Sequence, residues 1–120
     1  MLRICFFTRS TPHHLVGGME IISWNLAKKF AQKGHQVQLT TTSVPNRPET
    51  FKEEGIDVVA LAGTPPGKYS KVWWKKSLEY FQTIETDVVF SISAGAYGLL
   101  PYKSDFNIPF VLQILSLIHI

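Results

Sequence analysis

The stretch from Leu2 to Thr42 decides the fold: LRICFFTRSTPHHLVGGMEIISWNLAKKFAQKGHQVQLTTT. It begins with a compact apolar run, Leu2 to Phe7, which predicts a strand that is buried on both faces. A loop rich in turn-forming residues follows from Thr8 to Gly18, and the apolar spacing then becomes helical from Met19 to Lys33. The β-branched, alternating segment from His35 to Thr42 predicts a second strand. The stretch therefore predicts a β-α-β unit.

The predicted helix is amphipathic and is expected to pack on a sheet. Gly34 suits a left-handed cap at its end, and His35 just beyond is expected to be a structural turn residue. The expected buried face carries Met19, Ile22, Ser23, Leu26, Ala27 and Phe30, with Ile21, Asn25, Lys28, Lys29 and Gln32 opposite.

The rest of the chain continues the alternation of apolar runs and helical spacing. Ser43 to Glu54 contains two prolines and several charges, so a loop is expected there. The other predicted elements are strands at Asp57–Leu61, Asp87–Ile92 and Pro109–Ile114, and helices at Tyr69–Ile84 and about Tyr97–Lys103. Strands that are continuous apolar runs and that alternate with helices predict an α/β fold, a Rossmann-like doubly wound parallel sheet. Ligands in such folds lie at the carboxyl ends of the strands.

Length and composition agree with one packed domain. The chain has 120 residues, of which 45% are hydrophobic and 18% charged, which excludes a disordered or collagen-like chain. The apolar run from Ile108 to Ile120 is shorter than the roughly 18 residues that a membrane-spanning helix needs, and the apolar start is too short for a signal peptide. The single cysteine, Cys5, agrees with a reducing compartment, so a cytoplasmic location is expected.

The loop that ends in Gly17 and Gly18 carries the clearest functional signal. Glycines directly before a helix let backbone N–H groups approach a ligand, and the helix N-terminus favours an anion such as a phosphate. The pair alone also fits a simple turn. The sequence contains neither the G-x-G-x-x-G dinucleotide motif nor a P-loop motif.

Four other residues are candidates for contacts at the same edge. Glu20 lies in the first helical turn, where it either stabilises the helix or bonds the glycine loop or a ligand hydroxyl. His13 and His14 are candidates for contacts to a phosphate or an acceptor, although adjacent histidines in a loop are usually solvated. Ser93 follows the strand that ends at Ile92. No Asp, Glu or Cys stands near the histidines at a metal-ligand spacing, so no metal site is expected.

The segment from Tyr69 to Ile84 combines lysines with aromatic residues. Lys68, Lys71, Lys75 and Lys76 are placed opposite a wide arc formed by Tyr69, Trp73, Trp74, Leu78, Tyr80, Phe81 and Ile84. A basic amphipathic helix of this kind can lie on an anionic membrane surface, here as a peripheral contact at the inner face. The favoured interpretation is an aromatic stripe facing the core below a solvated lysine face. Nucleic-acid binding is not expected, because no recognition motif accompanies the small basic patch.

These residues together resemble a known family. Leu2-Arg3-Ile4-Cys5-Phe6-Phe7, then Gly17-Gly18-Met19-Glu20, Leu26-Ala27 and Gly34-His35-Gln36-Val37, look like the start of the retaining GT-B glycosyltransferases of the glycogen synthase and mannosyltransferase type. Their pattern is a strand, G-G-x-E, a helix with L-A, and G-H-x-V leading into the second strand. The later strands agree in layout, so the resemblance covers nearly the whole chain, with its strong motifs in the first third.

The resemblance implies a transferase that moves a sugar from a nucleotide-activated donor to an acceptor hydroxyl with retained configuration, with no cofactor and usually no metal. It implies that Gly17 and Gly18 form the loop facing the donor diphosphate, and that the acceptor is a glycan, a lipid or a small molecule. This chain would be the incomplete acceptor-side half, inactive without a missing C-terminal domain. The alternatives are a stand-alone Rossmann-like module that binds a nucleotide or phosphate, and a sugar-nucleotide epimerase.

The resemblance ends near the carboxyl terminus. The family's fifth strand usually continues into His-Gly, whose histidine lines the catalytic centre, whereas here Ile114 is followed by Leu115-Ser116. No catalytic residue is therefore assigned. The last six residues, LSLIHI, are encoded by one frame of a common transposon-end sequencing adaptor, CTGTCTCTTATACACATC. The expected domain is residues 1–114, and Leu115 to Ile120 are expected to be a non-native tail.

Overall fold

The computed structural model describes residues 1–14, 19–92, 95–102 and 108–113. Its strands are β1 (Arg3–Phe7), β2 (Gln36–Thr42), β3 (Thr50–Glu53), β4 (Ile56–Leu61), β5 (Val88–Ile92) and β6 (Phe110–Gln113). Its α-helices are α1 (Met19–Gln32) and α2 (Lys71–Phe81), and two 3-10 helices lie at Pro12–His14 and Tyr97–Tyr102.

The strands form one mostly parallel sheet in the order β3-β4-β2-β1-β5-β6, in which the β3–β4 pair is antiparallel. From β1 the chain proceeds to β2 and β4 on one side, then crosses back through α2 to β5 and β6 on the other. Crossovers in opposite directions place helices on opposite faces of a twisted sheet. The prediction of a doubly wound α/β fold is therefore confirmed.

A hydrophobic core lies on each face of the sheet. On the α1 face, Phe6 of β1 packs with Leu39, Ile56 and Trp24. On the α2 face, Phe7 packs with Val89, Leu61, Trp73 and Phe81 in the same way. Adjacent residues of β1 thus point into different cores, which explains why this strand is apolar throughout.

The buried stripe of α1 differs from the predicted one. Ala27 and Ser23 are buried as expected, but Ile22 is 53% exposed and Trp24 is buried instead. The indole Nε1 of Trp24 donates a hydrogen bond to Glu54 Oε1 at 2.9 Å, in the turn between β3 and β4. The stripe is shifted because this large ring fills the space between α1 and that turn.

The loop predicted from Ser43 to Glu54 is wrong in its second half, because β3 lies there. The strand pairs with β4 through a two-residue turn in which Glu54 and Gly55 both have positive φ, 54° and 82°. This conformation matches the right-handed twist of a tight hairpin. In the sequence, the pair Glu54-Gly55 indicates the hairpin turn, but the prolines before it favour a loop over a strand.

Other boundaries follow local chemistry. Helix α2 is shorter than predicted: it starts at Lys71, because Ser70 caps it by accepting a hydrogen bond from Trp73 N, and it ends at Phe81. The helix expected from Tyr97 is a 3-10 helix that contains Pro101. Gly34 has φ 92°, which confirms the cap. The His35 Nδ1 atom accepts a hydrogen bond from Leu2 N at 3.0 Å, which confirms a structural role.

Candidate functional site

Buried hydroxyl groups gather at the carboxyl edge of the sheet, where the loops after β1, β2, β4 and β5 begin. The buried side chains of this kind at or near that edge are Thr8, Ser10, Thr11, Thr40, Thr41, Thr42, Thr64 and Ser91. Hydroxyl groups removed from water need hydrogen-bond partners inside the protein. Those that are hydrogen-bonded therefore fix the geometry of the loops that surround the edge.

Thr42 is the centre of this arrangement. Its Oγ1 donates to the carbonyl of Arg9 at 2.5 Å and accepts from the backbone N–H of Gly67 at 2.8 Å. One hydroxyl at the end of β2 thereby joins the loop after β1 to the loop after β4. The next residue, Ser43, donates from Oγ to Thr64 O at 2.6 Å, and its N–H donates to Thr64 Oγ1 at 2.8 Å.

His14 extends the frame toward the start of α1. Its Nδ1 accepts a hydrogen bond from Thr11 N at 2.8 Å, so in the neutral ring the proton is on Nε2. That Nε2 lies 3.1 Å from the carbonyl oxygens of Thr42 and Ser43 and donates toward them. Burial lowers the pKa of His14 below its usual value, against the opposing effect of the backbone carbonyls. The ring is therefore a neutral structural bridge near pH 7.

His13 forms a second bridge, to the β3–β4 hairpin. Its Nε2 lies 2.9 Å from Glu53 Oε2, and its ring meets Trp24 and Phe51 edge-on at centroid distances of 5.3 and 5.2 Å. The side chain is only 9% exposed. The general expectation that adjacent loop histidines are solvated is wrong here, because aromatic residues distant in sequence enclose the ring.

The end of β5 is held by aromatic residues from the start of α2. Tyr69 donates from its hydroxyl to Ile92 O at 2.9 Å, and Trp73 donates from Nε1 to Gly95 O at 3.0 Å. Burial raises the pKa of Tyr69 to about 12, which keeps the hydroxyl a neutral donor. The Arg9 guanidinium lies over the Tyr69 ring at 5.9 Å. This exposed cation stands at the same edge.

The other predicted site residues are only partly covered by the structure. Gly17, Gly18 and Ser93 lie outside the described residues. Helix α1 begins at Met19, as predicted, and Glu20 is in its first turn, although only the backbone of Glu20 is described. The structure therefore brings His13 and His14 together below the start of α1 and leaves the contacts of the glycine loop as a prediction.

Thr41 was not among the sequence candidates. Its side chain is fully buried, and within the described part of the chain its Oγ1 has no hydrogen-bond partner. Strand alternation places it on the face of Leu39, which packs with α1. Helix α1 runs antiparallel to the strands, so Thr41, the next residue after Leu39 on this face, lies toward the start of α1. A single threonine in an apolar strand gives no sequence signal for such a role.

The described residues contain no group of three or more His, Cys, Asp or Glu side chains that could hold a metal ion. Cys5 is buried beneath α2, and burial raises the pKa of its thiol to about 12. Within the described residues, neither α-helix combines the length and apolarity needed to cross a bilayer.

No protein-family model matches the chain, and no curated protein matches it either. Among solved structures, it is similar to sucrose-phosphate synthase from Thermosynechococcus elongatus, with a TM-score of 0.72 and 15% sequence identity. The chain has the fold of part of a GT-B glycosyltransferase. The match covers 98% of this chain and 34% of that chain, so it spans about a third of its neighbour. At this identity the likeness establishes the fold, and the fold prediction is confirmed.

Proposed function

We propose that this chain is the acceptor-side part of a glycosyltransferase that moves a hexose from a nucleotide-activated donor to an acceptor hydroxyl with retention. The observation that carries the proposal is the rigid polar frame of His14, Thr42 and Thr64 at the carboxyl edge, beside the start of α1. The fold likeness to a sucrose-phosphate synthase supports the same class. The proposal places the reaction in the cytoplasm.

The proposed donor role depends on the start of α1. This helix has 14 residues, so its first N–H groups and its dipole favour an anion there. Gly17 and Gly18 precede it, and in the proposal their backbone faces the diphosphate of the donor. The departing nucleoside diphosphate carries growing negative charge, which fixed N–H donors stabilise without reorganising.

The polar frame supplies the rigidity that this role needs. His14 and Thr42 together hold the loop after β1 against β2 and the loop after β4. The His13–Glu53 contact holds the same loop against β3. A ligand loop anchored at both of these points positions its donors accurately, and misplacement by about 1 Å costs roughly 100-fold in rate.

The alternative function is a stand-alone module that binds a nucleotide or phosphate. It uses the same helix start but needs no second domain. The two functions differ in what the 120-residue chain does alone: an acceptor-side half performs no transfer, whereas a binding module holds its ligand with full stoichiometry.

The test is to assay the 120-residue chain and the complete reading frame of its proposed parent with a panel of nucleotide sugars and acceptors. Release of nucleoside diphosphate measures turnover, and NMR of the product measures retention. We expect the parent to transfer the sugar and the 120-residue chain not to do so. Gly18→Val in the parent should lower kcat/KM by about 100-fold. Asn25→Ala, on the exposed side of α1, is the matched control and should retain activity.

Two results would contradict the proposal. A parent that folds and shows no transfer with any donor rules out the transferase. Saturable nucleotide binding by the 120-residue chain, with one ligand per chain and no turnover by the parent, favours the binding module instead.

A further inference from the structure

A groove on the outside of the molecule lies between α2 and the second 3-10 helix. It has a volume of about 640 Å³, and its walls include Lys71, Trp74, Lys75, Tyr97 and Pro101. It forms no part of the polar frame described above. The two walls approach closely at Gly98, where a Cβ atom would come within 2.7 Å of the Trp74 carbonyl oxygen.

The aromatic wall of the groove is formed by Trp74 and Tyr97, which belong to a column of three stacked rings. Tyr69 stacks on Trp74 with centroids 5.2 Å apart and an interplanar angle of 19°, and Trp74 stacks on Tyr97 at 6.4 Å and 20°. The column ends at the surface, where Tyr97 is 45% exposed. Val72, on the outer side of α2, is 42% exposed. Exposed apolar groups beside a groove of this kind mark a contact surface.

The charge of the surface is strongly positive. Four lysines, Lys68, Lys71, Lys75 and Lys76, lie in or directly before α2, and none forms an ion pair with any described residue. Outside this group, the chain has eight basic and nine acidic side chains. The excess positive charge of the protein is therefore concentrated here, with Glu79 as the next acidic residue along the helix.

We propose that this groove, with the lysines that flank it, docks on an anionic lipid bilayer. A bilayer interface supplies anionic headgroups for the lysines and an apolar boundary for Val72 and Tyr97 at the same time. Trp73, Ser77 and Phe81 face the core and anchor α2 to the sheet, so docking requires no unfolding. Helix α2 starts directly after the loop that follows β4, so docking through α2 holds the polar carboxyl edge near the lipid surface.

The test measures partitioning of the 120-residue chain onto vesicles of phosphatidylcholine with and without an equal amount of phosphatidylglycerol, at low and high salt. We expect binding to the anionic vesicles at low salt that weakens as salt is added. Each lysine near an anionic surface contributes roughly 1 kcal/mol, or about five-fold. The double variant Lys71→Gln/Lys75→Gln should therefore bind about 25-fold more weakly.

A matched control separates this surface from general attraction by net charge. Lys29→Gln/Lys33→Gln removes two exposed lysines from the end of α1 and changes the net charge equally, and it should retain nearly full binding. Glu79→Gln should strengthen binding, and Val72→Gln should weaken the part that remains at high salt. Urea unfolding of each variant checks that the fold is intact.

Four outcomes would overturn the proposal. They are no binding of the wild-type chain to anionic vesicles, equal binding to neutral vesicles, and equal losses in the two double-lysine variants. The fourth is a concentration-dependent dimer in light scattering that Lys71→Gln/Lys75→Gln abolishes, because the groove would then bind a second copy of the chain.

Discussion

Two adjacent threonines at the end of β2 provide a sensitive test of the structure. Thr41 and Thr42 are both fully buried, but they point to opposite faces of the sheet. The Thr42 hydroxyl joins Arg9 O to Gly67 N, whereas the Thr41 hydroxyl has no partner among the described residues. Replacing each by valine removes the hydroxyl and keeps the branched shape, so the same chemical change should have different effects.

The magnitudes follow from the hydrogen bonds. Thr42→Val leaves the buried Gly67 N–H and the part-buried Arg9 carbonyl without their partner. An unsatisfied buried group costs about 1–3 kcal/mol, and the carbonyl, which is partly open to water, costs less. We expect a total loss of roughly 2–4 kcal/mol in the free energy of unfolding. Thr41→Val removes a buried hydroxyl that makes no hydrogen bond to any described residue, which should be neutral or stabilise the chain by up to about 1 kcal/mol.

Urea unfolding followed by tryptophan fluorescence measures both effects. With m near 1–3 kcal/mol/M, the two midpoints should differ by about 1 M urea or more, at unchanged m. Equal midpoints for the two variants, or a lower midpoint for Thr41→Val than for Thr42→Val, would refute the assignment of these hydroxyls.

Three other residues give independent predictions. Burial lowers the pKa of His14 in the folded chain, whereas an unperturbed histidine in the unfolded chain titrates at about 6.5. As the pH falls, His14 therefore takes up its proton in the unfolded chain first. The free energy of unfolding should therefore decrease from that pH down to the lower pKa of the folded state, and His14→Gln should flatten this dependence in urea titrations at several pH values. Gly95→Ala should lower the stability by about 1–3 kcal/mol in thermal unfolding, since its Cβ would collide with the Phe7 carbonyl; an unchanged midpoint would contradict that packing. Cys5 is buried and its pKa is raised to about 12, so a disulfide reagent should modify it only in urea, and fast labelling of the native chain would be inconsistent with this position.

Much of the fold was predictable because local patterns and tertiary packing agree. Apolar runs such as Leu2–Phe7 indicate strands buried on both faces, and Gly34 indicates the helix end that its φ of 92° confirms. The sequence signal failed at β3, whose identity depends on pairing with β4. It also failed on the face of α1, where Trp24 is buried by contact with a turn thirty residues later.

The candidate site was predicted less completely. The motif around Gly17 and Gly18 predicts a helix that begins near Met19, which the structure confirms, whereas the ligand role of this loop and of His13 and His14 stays a prediction. It gave no sign of Thr41, Thr42 or Thr64, because a threonine in a β-branched strand fits a structural role equally well. The hydrogen bonds that give Thr42 and Thr64 their roles join segments 21 to 33 residues apart in sequence.

The sequence by itself determined the order of strands and helices apart from β3, the doubly wound class and the edge at which ligands are expected. These depend on residue periodicity and turn chemistry, which act over a few neighbouring residues. Only the tertiary structure decided that His13 and His14 are enclosed bridges, that one threonine hydroxyl joins two loops while its neighbour has no partner among the described residues, and that Trp74 and Tyr97 line one groove. Burial and hydrogen bonding between distant segments arise when the sheet brings its loops together, and no local pattern encodes those distances.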